Sequence, residues 1–395
     1  MFPTFSLTLM VNHACNLRCT YCYTGAKFRR PMTTEIATAA IRRAVQSTAP
    51  GGQLELGFFG GEPLLEAASI LEWVEQAREQ CAAQRSARSA PIHGGERSAC
   101  SDPIHGVEHC TRPHEWGHYE RVDLRLNLTT NGTIVDSAAW RVMSLSELHL
   151  SISHDGLPHV HDRHRHSAEG HGSSAAVLAT LDRLLSEGRD LNVVMVVRPD
   201  NLRTLVEGIE FLRARGVRQI TPSLDLWTEW TQDDAAQLQQ AVSDGADLWR
   251  RSWPDLSISW FDEKTALLAR VPMSPTARCH FGHGQIAVSP AGFLYPCERL
   301  IGEDRADHPL RLPGHALAGD DFCSTTPAAD RSAPACSRCA LESLCGTSCR
   351  CSNFIRTGDA TKPDGLLCWL ETLCFRETAR VLNPCPTESR VLVSA

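Results

Sequence analysis

Three cysteines near the start of the chain have a spacing that can hold an iron–sulfur cluster. Cys15, Cys19 and Cys22 lie at C-x3-C-x2-C spacing in the run NHACNLRCTYCYTG, directly after an apolar, β-prone stretch. Three thiolates on one short loop can bind three irons of a four-iron cubane and leave the fourth iron without a protein ligand. An open iron can bind and reduce a small molecule, so this spacing predicts a cluster that takes part in chemistry.

A second array of cysteines lies late in the chain. Disulfide frameworks are typical of short secreted proteins, whereas close C-x2-C spacing in a chain of 395 residues favours metal or cluster ligation. A pair of zinc knuckles is the alternative, because one C-x2-C pair alone fits such a site. The cysteines at regular intervals in this array are Cys279, Cys297, Cys336, Cys339, Cys345, Cys349 and Cys368.

Glycine and polar residues follow three further strand-like segments. The second segment ends in LGFFGGEPLL, where two glycines let the backbone approach a ligand closely and a glutamate provides a carboxylate. The third ends in TTNG and the fourth in SISHDG, whose two serines share one face because side chains alternate along a strand. The candidate binding residues are Gly60, Gly61, Glu62, Pro63, Asn131, Ser151 and Ser153.

Each of these runs also has an ordinary structural interpretation. Gly-Gly followed by Pro, and an Asp-Gly pair, both occur in turns. The histidines after the fourth segment can be solvated loop residues, and the sequence assigns a role to none of them. They are His154, His159, His161, His164 and His166.

The first 226 residues alternate between short apolar strands and amphipathic helices. Such strands are typical of a parallel sheet covered on both faces, and six βα units in a row predict an α/β fold with a partial (β/α)6 barrel. These sheets carry their chemistry on the loops after the carboxyl ends of the strands, where the cysteine loop and the polar runs fall. The predicted strands are Ser6–Val11, Gln53–Phe59, Arg125–Thr130, Glu147–Ser153, Leu191–Val197 and Arg218–Leu226, and the predicted helices are Thr34–Gln46, Leu64–Gln84, Ile134–Ser144, Ser174–Glu187 and Leu202–Arg215.

The pattern divides the chain into a barrel, a bridge and a cysteine-rich region. The composition of residues 85–120, which are rich in His, Ser, Pro, Gly and Arg, predicts a flexible insertion into the barrel, although their histidines and cysteines could bind a metal. A long helix over 231–252 opens the bridge, and the cysteine-rich region is loop-rich and needs metal to fold. The predicted units are 1–230, 231–275, 276–385 and a tail over 386–395.

Composition excludes several classes of partner. The net charge of −7 and the absence of a basic stretch argue against nucleic-acid binding. No apolar run reaches the roughly 18 residues that span a bilayer, and the N-terminus has no secretory signal. Because close cysteines that bind metal need a reducing compartment, we expect a cytoplasmic protein.

The cysteine loop, the GGEP run and the SISHDG run together resemble the radical S-adenosylmethionine (SAM) superfamily. The resemblance implies that the three early cysteines hold a [4Fe-4S] cluster whose open iron binds SAM. It also implies that the run from Gly60 to Pro63 holds the amino group of SAM. The other SAM-binding residues that it implies are Tyr21, Asn131, Ser151 and Ser153.

The second array, with Gly292, resembles the SPASM domain, which carries two auxiliary [4Fe-4S] clusters in radical SAM maturases. The resemblance assigns Cys336, Cys339, Cys345 and Cys368 to one cluster, and only Cys279, Cys297 and Cys349 to the other. Many relatives have an eighth cysteine shortly after the first, and this chain has none there. Either the fourth iron is open, or it is completed by one of His280, His283, Cys323, Cys351 and Cys374.

The resemblance implies that SAM is cleaved to a 5′-deoxyadenosyl radical, which abstracts a hydrogen from a ribosomally made peptide or a protein side chain. The product would be oxidised, cross-linked or epimerised. A flavodoxin or ferredoxin would donate electrons. Leader recognition, if needed, would come from a separate protein, the 85–120 insertion or the bridging region, because little chain precedes the barrel. A sulfatase maturase that forms formylglycine is the alternative, with Asp225 as a candidate base by position. A non-catalytic iron–sulfur or zinc protein is the alternative from another class.

Overall fold

The computed structural model describes residues 1–83, 121–270, 281–324, 336, 339–342, 344–345 and 349–382. The predicted insertion, the predicted tail, Cys279 and His280 therefore lie outside the described residues. The strands are β1 (Phe2–Asn12), β2 (Thr48–Gly60), β3 (Asp123–Thr130), β4 (Leu148–Ser153), β5 (Asn192–Val197), β6 (Gln219–Leu224), β7 (Ser257–Ile258), β8 (Gln285–Val288), β9 (Phe293–Tyr295) and β10 (Leu312–His315). The helices are α1 (Thr34–Ser47), α2 (Ala67–Ala83), α3 (Ser137–Met143), α4 (Pro158–His164), α5 (Ser174–Ser186), α6 (Leu205–Ala214), α7 (Gln232–Ser252), α8 (Ser259–Leu268), α9 (Arg350–Thr357) and α10 (Gly365–Leu382).

A single sheet organises the described chain. Its strand order is β10-β9-β8-β1-β2-β3-β4-β5-β6-β7, and β1 to β7 pair in parallel in the order of the sequence. This confirms the predicted α/β fold with a partial barrel, in which helices alternate with strands along the chain. All six predicted strands are present, because each is an apolar segment long enough to show its pattern.

The sheet extends beyond the predicted barrel at the β1 edge. β8 pairs in parallel with β1 from Ser6 opposite Gln285 to Leu9 opposite Val288, and β9 and β10 follow in antiparallel order. The sequence interpretation treated this part of the chain as loop-rich. These strands span only three or four residues each, which is too short for a periodic pattern to appear. The predicted domain boundaries stay a prediction.

The core lies between the sheet and its helices. Along β1, alternate residues from Phe5 to Val11 point into this core and are fully buried, while Met10 points to the opposite face and packs against Tyr295. Helix α1 begins after Thr33, whose hydroxyl accepts a hydrogen bond from the N–H of Ile36 and satisfies one free donor of the first turn.

Contacts of buried charged residues attach the late part of the chain to the barrel. The guanidinium of Arg43 on α1 donates to the carbonyl oxygens of His315 and Asp321, both at 2.6 Å. On the other side, Lys264 of α8 pairs with Glu371 of α10 at 2.8 Å. No helix among the described ranges combines the length and apolar character needed to cross a bilayer.

Candidate active site

An open cavity, with about 1040 Å³ of empty space that includes part of the adjoining solvent, lies at the carboxyl ends of the barrel strands, as the fold predicts. The structure brings most of the sequence-predicted site residues to its wall. Two of them lie just outside it: Pro63 begins a short 3-10 helix, and Ser151 accepts a hydrogen bond from Asn192 at 3.1 Å. Those on the wall are Cys15, Cys19, Cys22, Tyr21, Gly60, Gly61, Glu62, Asn131, Ser153 and Asp225.

The two glycines let the end of β2 pack directly against the cysteine loop. The N–H of Gly61 donates to Asn12 and the N–H of Glu62 to Ala14, both at 2.9 Å. A Cβ atom at Gly60 would lie 2.5 Å from the carbonyl oxygen of Asn12, and one at Gly61 would lie 2.3 Å from that of Ala14. Only glycine therefore permits this approach, which fixes the base of the loop that carries the three cysteines.

Replacing Gly61 by alanine is expected to displace the cysteine loop. Overpacking of this kind costs about 1–3 kcal/mol, and the strain falls directly on the carbonyl of Ala14, next to the first cysteine. Iron content and thermal stability after anaerobic reconstitution should both fall. Gly365→Ala is the matched control, because a Cβ there meets no neighbouring atom; equal behaviour of the two variants would contradict the prediction.

Glu62 ties the ends of β2 and β3 together. Its carboxylate accepts hydrogen bonds from the N–H of Leu64 at 3.0 Å, the hydroxyl of Thr130 at 2.7 Å and the N–H of Asn131 at 2.8 Å. Burial raises its pKa, while these three donors favour the charged form. The side chain of Asn131 in turn donates to Asn16 at 2.9 Å, so the network reaches the cysteine loop.

The three thiols have different electrostatic surroundings. Burial raises the pKa of Cys15 to about 11 and also raises that of Cys19. At Cys22 burial acts in the same direction, but the Lys27 ammonium, 2.9 Å from the sulfur, lowers the pKa overall. Thiols on a cavity wall are a donor set that a bound iron–sulfur cluster would deprotonate, and Lys27 favours this at Cys22.

The described residues contain no three His, Cys, Asp or Glu side chains arranged around a single metal ion. In a cubane each thiolate binds a different iron, so its ligands do not converge on one point. Three cysteines on one loop at the mouth of a large cavity fit such a cluster better than they fit a lone ion.

Tyr21 belongs to a buried charged network that sequence reasoning missed. Its hydroxyl donates to the carboxylate of Asp155, which Arg165 also binds through two hydrogen bonds of 3.0 and 3.2 Å. Burial opposes ionisation of Asp155, but the charge of Arg165 lowers its pKa. The backbone N–H of Val196 on β5 completes the set at 3.0 Å. The signal in the sequence was an Asp directly after β4 with an Arg ten residues later.

The histidines after β4 are largely buried, so the solvated interpretation is wrong for three of them. The rings of His154 and His161 stack at 4.2 Å and contact the hydroxyls of Ser174 and Ser173. Burial lowers the pKa of His154 to about 4 and that of His161 to about 2. His164 is also buried and contacts two polar side chains, whereas His159 is exposed.

This histidine pair should make the protein less stable in mild acid. The pKa of His154 falls from 6.5 in the unfolded chain to about 4 in the fold, so the unfolded chain binds more protons between these values. Stability is therefore complete above pH 6.5 and is lost as the pH falls towards 4, by up to about 3 kcal/mol for this residue. Urea midpoints at pH 5 and 7 should differ less in His154→Gln than in the exposed control His149→Gln; equal differences would refute this origin.

Asp225 faces the cavity as an ion-paired residue. Its carboxylate pairs with Arg198 and accepts a hydrogen bond from the N–H of Trp227 at 2.9 Å. The ring of Trp227 stacks on Tyr23 at 4.8 Å, which forms an aromatic wall beside it. The ion pair gives Asp225 an ordinary structural role, and a role of Asp225 as a base stays a prediction.

The second cysteine array forms two groups in the described part of the chain. In the first group, Cys336 and Cys339 lie close to Cys368. Burial is the largest cause that raises the pKa of Cys368, and the charges of its two neighbours raise it further. In the second, the sulfur of Cys349 lies 3.4 Å from that of Cys351, which also interacts with Cys297. Each group contains members of one of the ligand sets that the resemblance implies, the second group also contains Cys351, and the assignment of ligands stays a prediction.

Comparison with known proteins defines the class. A family model described as the radical SAM superfamily matches residues 9–212, which run from the end of β1 through β5 and include the cysteine loop. The chain belongs to the radical SAM superfamily of enzymes.

The sequence identity to individual relatives is low. The chain is 24% identical over 373 residues to a serine-type anaerobic sulfatase-maturating enzyme of Klebsiella aerogenes, covering 88% of this chain and 80% of that protein. It is 22% identical over 322 residues to a cysteine-type anaerobic sulfatase-maturating enzyme of Clostridium perfringens, covering 76% and 75%.

Two solved structures share the fold over nearly the whole chain. Native anSMEcpe with bound AdoMet and Kp18Cys peptide superposes with a TM-score of 0.68 at 18% identity, covering 97% of this chain and 99% of that one. Streptococcus suis SuiB bound to precursor peptide SuiA gives a TM-score of 0.58 at 13% identity, covering 93% and 76%.

Proposed function

We propose that this radical SAM enzyme modifies a side chain of a ribosomally made peptide or protein. The observation that carries the proposal is the cavity at the ends of the barrel strands. It combines the three-thiol loop, the close-packed glycines at the end of β2 and a polar wall from β3 and β4. Binding of a cluster, binding of SAM and access for a larger substrate can all occur in this one space.

The residues around the cavity have separate tasks. When bound, the [4Fe-4S] cluster and SAM provide a 5′-deoxyadenosyl radical that removes a hydrogen atom from a substrate carbon. The three cysteines hold the cluster, and the backbone of Gly60 and Gly61 permits close approach of the methionine part of SAM. Tyr21, Asn131 and Ser153 border the remaining space. Ser151 lies just outside the cavity wall and accepts a hydrogen bond from Asn192.

The cavity mouth suits a peptide. Trp227 is 47% exposed beside the opening and stacks on Tyr23, so it offers an apolar surface to an incoming side chain. The related anSMEcpe and SuiB structures hold a peptide and a precursor peptide respectively. The proposed substrate is accordingly a peptide segment that enters past Trp227, and its product is oxidised, cross-linked or epimerised.

The second cysteine array is proposed to hold two auxiliary [4Fe-4S] clusters. Cys336, Cys339, Cys345 and Cys368 would bind one, and Cys279, Cys297 and Cys349 would contribute to the other. A net oxidation of the substrate releases electrons, which these clusters can accept, and a flavodoxin or ferredoxin is the proposed donor for the first cluster. Leader recognition is assigned to a separate protein.

Conversion of a sulfatase Cys or Ser to formylglycine is the second candidate. It is favoured by the two anaerobic sulfatase-maturating relatives, which match three quarters or more of this chain. That reaction needs a base near the substrate carbon, and Asp225 is the candidate on the cavity wall. Its ion pair with Arg198 would have to be kept or opened during the reaction.

A SAM cleavage assay with peptides tests both candidates. The reconstituted, reduced protein should form 5′-deoxyadenosine, and mass spectrometry should detect a modified peptide among precursor peptides encoded near the gene. Sulfatase peptides serve as the parallel substrate set, and their conversion would select the formylglycine reaction. Absence of SAM cleavage in wild-type protein would favour the non-catalytic alternative and overturn the proposal.

A further inference from the structure

Three thiols, two of them buried, meet in the second cysteine array, although the SPASM pattern accounts for only two of the three. Cys351 is 2% exposed and lies in one apolar cluster with Cys297 and Met10. Cys349 packs against that cluster, and its sulfur lies 3.4 Å from the sulfur of Cys351. The Cys351 thiol also interacts with the Cys297 thiol. The fold therefore adds one cysteine to this group.

Two of the other described candidates for a fourth ligand lie in or next to the main core, and the third is placed only by its neighbour in sequence. His283 packs edge-on against Phe2 with 4.9 Å between the ring centres, and Phe2 packs on the main core. Cys374 is buried within that core, and Cys323 directly follows a phenylalanine that belongs to it. Of the candidates in the described ranges, Cys351 alone shares a cluster with two of the assigned ligands.

We infer that Cys351 is the fourth protein ligand of the first auxiliary cluster, together with Cys279, Cys297 and Cys349. This inference rests on the proposed function, which includes that cluster. Cys279 lies outside the described residues, and its place among the ligands comes from the resemblance.

The surroundings of the three thiols suit an anionic cluster. Cys349 immediately precedes α9 and Cys351 lies in its first turn, where the free N–H groups of a helix favour negative charge. Arg299 lies on the other side and donates to Ser352 at 3.4 Å. Arg299 also lines the main cavity, so it connects the two sites.

The consequence concerns the role of this cluster. With three thiolates it would carry an open iron that could bind a substrate atom, whereas with four it would only transfer electrons. With Cys351 as a ligand, this cluster would transfer electrons. It would lie next to the main cavity, because Arg299 contacts both sites.

Iron analysis of the full-length, anaerobically reconstituted protein tests the ligand. Wild type should hold about twelve irons as three four-iron clusters. Cys351→Ala should lose between one and four irons and change the Mössbauer and electron paramagnetic resonance (EPR) spectra of one auxiliary cluster. Cys374→Ala is the control, because that thiol is 1% exposed but lies in the main core. Cys351→Ser keeps the side-chain size and should alter the same spectra.

The outcomes separate the ligand from the proposed function. Unchanged iron and spectra in both Cys351 variants would overturn the inference, as would an equal loss of iron in Cys374→Ala. A wild-type content of about four irons would overturn the auxiliary cluster itself. The SAM-dependent EPR change of the first cluster is recorded in every sample. Its presence in the Cys351 variants shows that they fold, and its absence from wild type would overturn the proposed function independently.

Discussion

Replacement of Cys19 by alanine is expected to abolish formation of 5′-deoxyadenosine. Cys19 is the middle ligand of the C-x3-C-x2-C loop and lies on the cavity wall, between Cys15 and the Cys22 thiol that Lys27 contacts. Two remaining thiolates leave two irons of a cubane without protein ligands, and such a cluster does not persist. Iron content should fall by about four per chain, while the auxiliary clusters remain.

Cys81→Ala is the matched control for this variant. Cys81 is 2% exposed on α2 and packs in the main core, away from the cavity wall. Its removal costs packing energy but touches no proposed ligand, so cleavage of SAM should continue. Cleavage that survives in Cys19→Ala, or is lost equally in Cys81→Ala, would contradict the assignment of the first cluster to this loop.

Replacement of Asp155 by asparagine is expected to weaken SAM binding by roughly 10- to 100-fold, or about 1.4–2.7 kcal/mol. Asp155 holds both Tyr21 and Arg165 on the cavity wall, and both would lose their charged partner. Arg165 is 6% exposed, and removing one partner of such a buried ion pair costs about 3–5 kcal/mol of stability. The SAM dissociation constant and the thermal midpoint measure the two effects.

A double variant separates the two effects of Asp155. In Asp155→Asn with Arg165→Met the uncompensated buried charge is gone, so part of the stability should return while SAM binding stays weak. Asp182→Asn is the control, because Asp182 pairs with Arg215 at the surface and such a pair contributes about 0–1 kcal/mol. Wild-type SAM affinity in Asp155→Asn would show that the network does not organise the cavity.

The sequence predicts the barrel well because each of its elements is long enough to reveal its pattern. β3 was predicted as Arg125–Thr130 and is found at Asp123–Thr130, and α7 was predicted over 231–252 and is found at Gln232–Ser252. Helix α4 was missed because its run PHVHDRH is polar and rich in histidine. Its buried face depends on contacts with residues distant in sequence, such as the carboxylate of Asp200, which contacts His164.

The sequence predicts the candidate cluster cysteines but not the residues that support them. Cysteine spacing is a local property, so Cys15, Cys19 and Cys22 could be identified directly. Arg165 could not, because its function depends on a carboxylate that the fold brings to it. Cys351 could not be chosen among the candidates for the same reason: its contact with Cys349 and its packing beside Cys297 exist only after folding.

The parallel pairing of β8 with β1 has a consequence for solubility. β1 has a hydrogen-bonded neighbour on each side, and four of its residues, from Ser6 to Leu9, pair with β8. A chain cut before β8 would present these residues as an unpaired, apolar sheet edge, which is a template for strand addition between molecules. The isolated barrel should therefore associate into aggregates, even though its own six strands are complete.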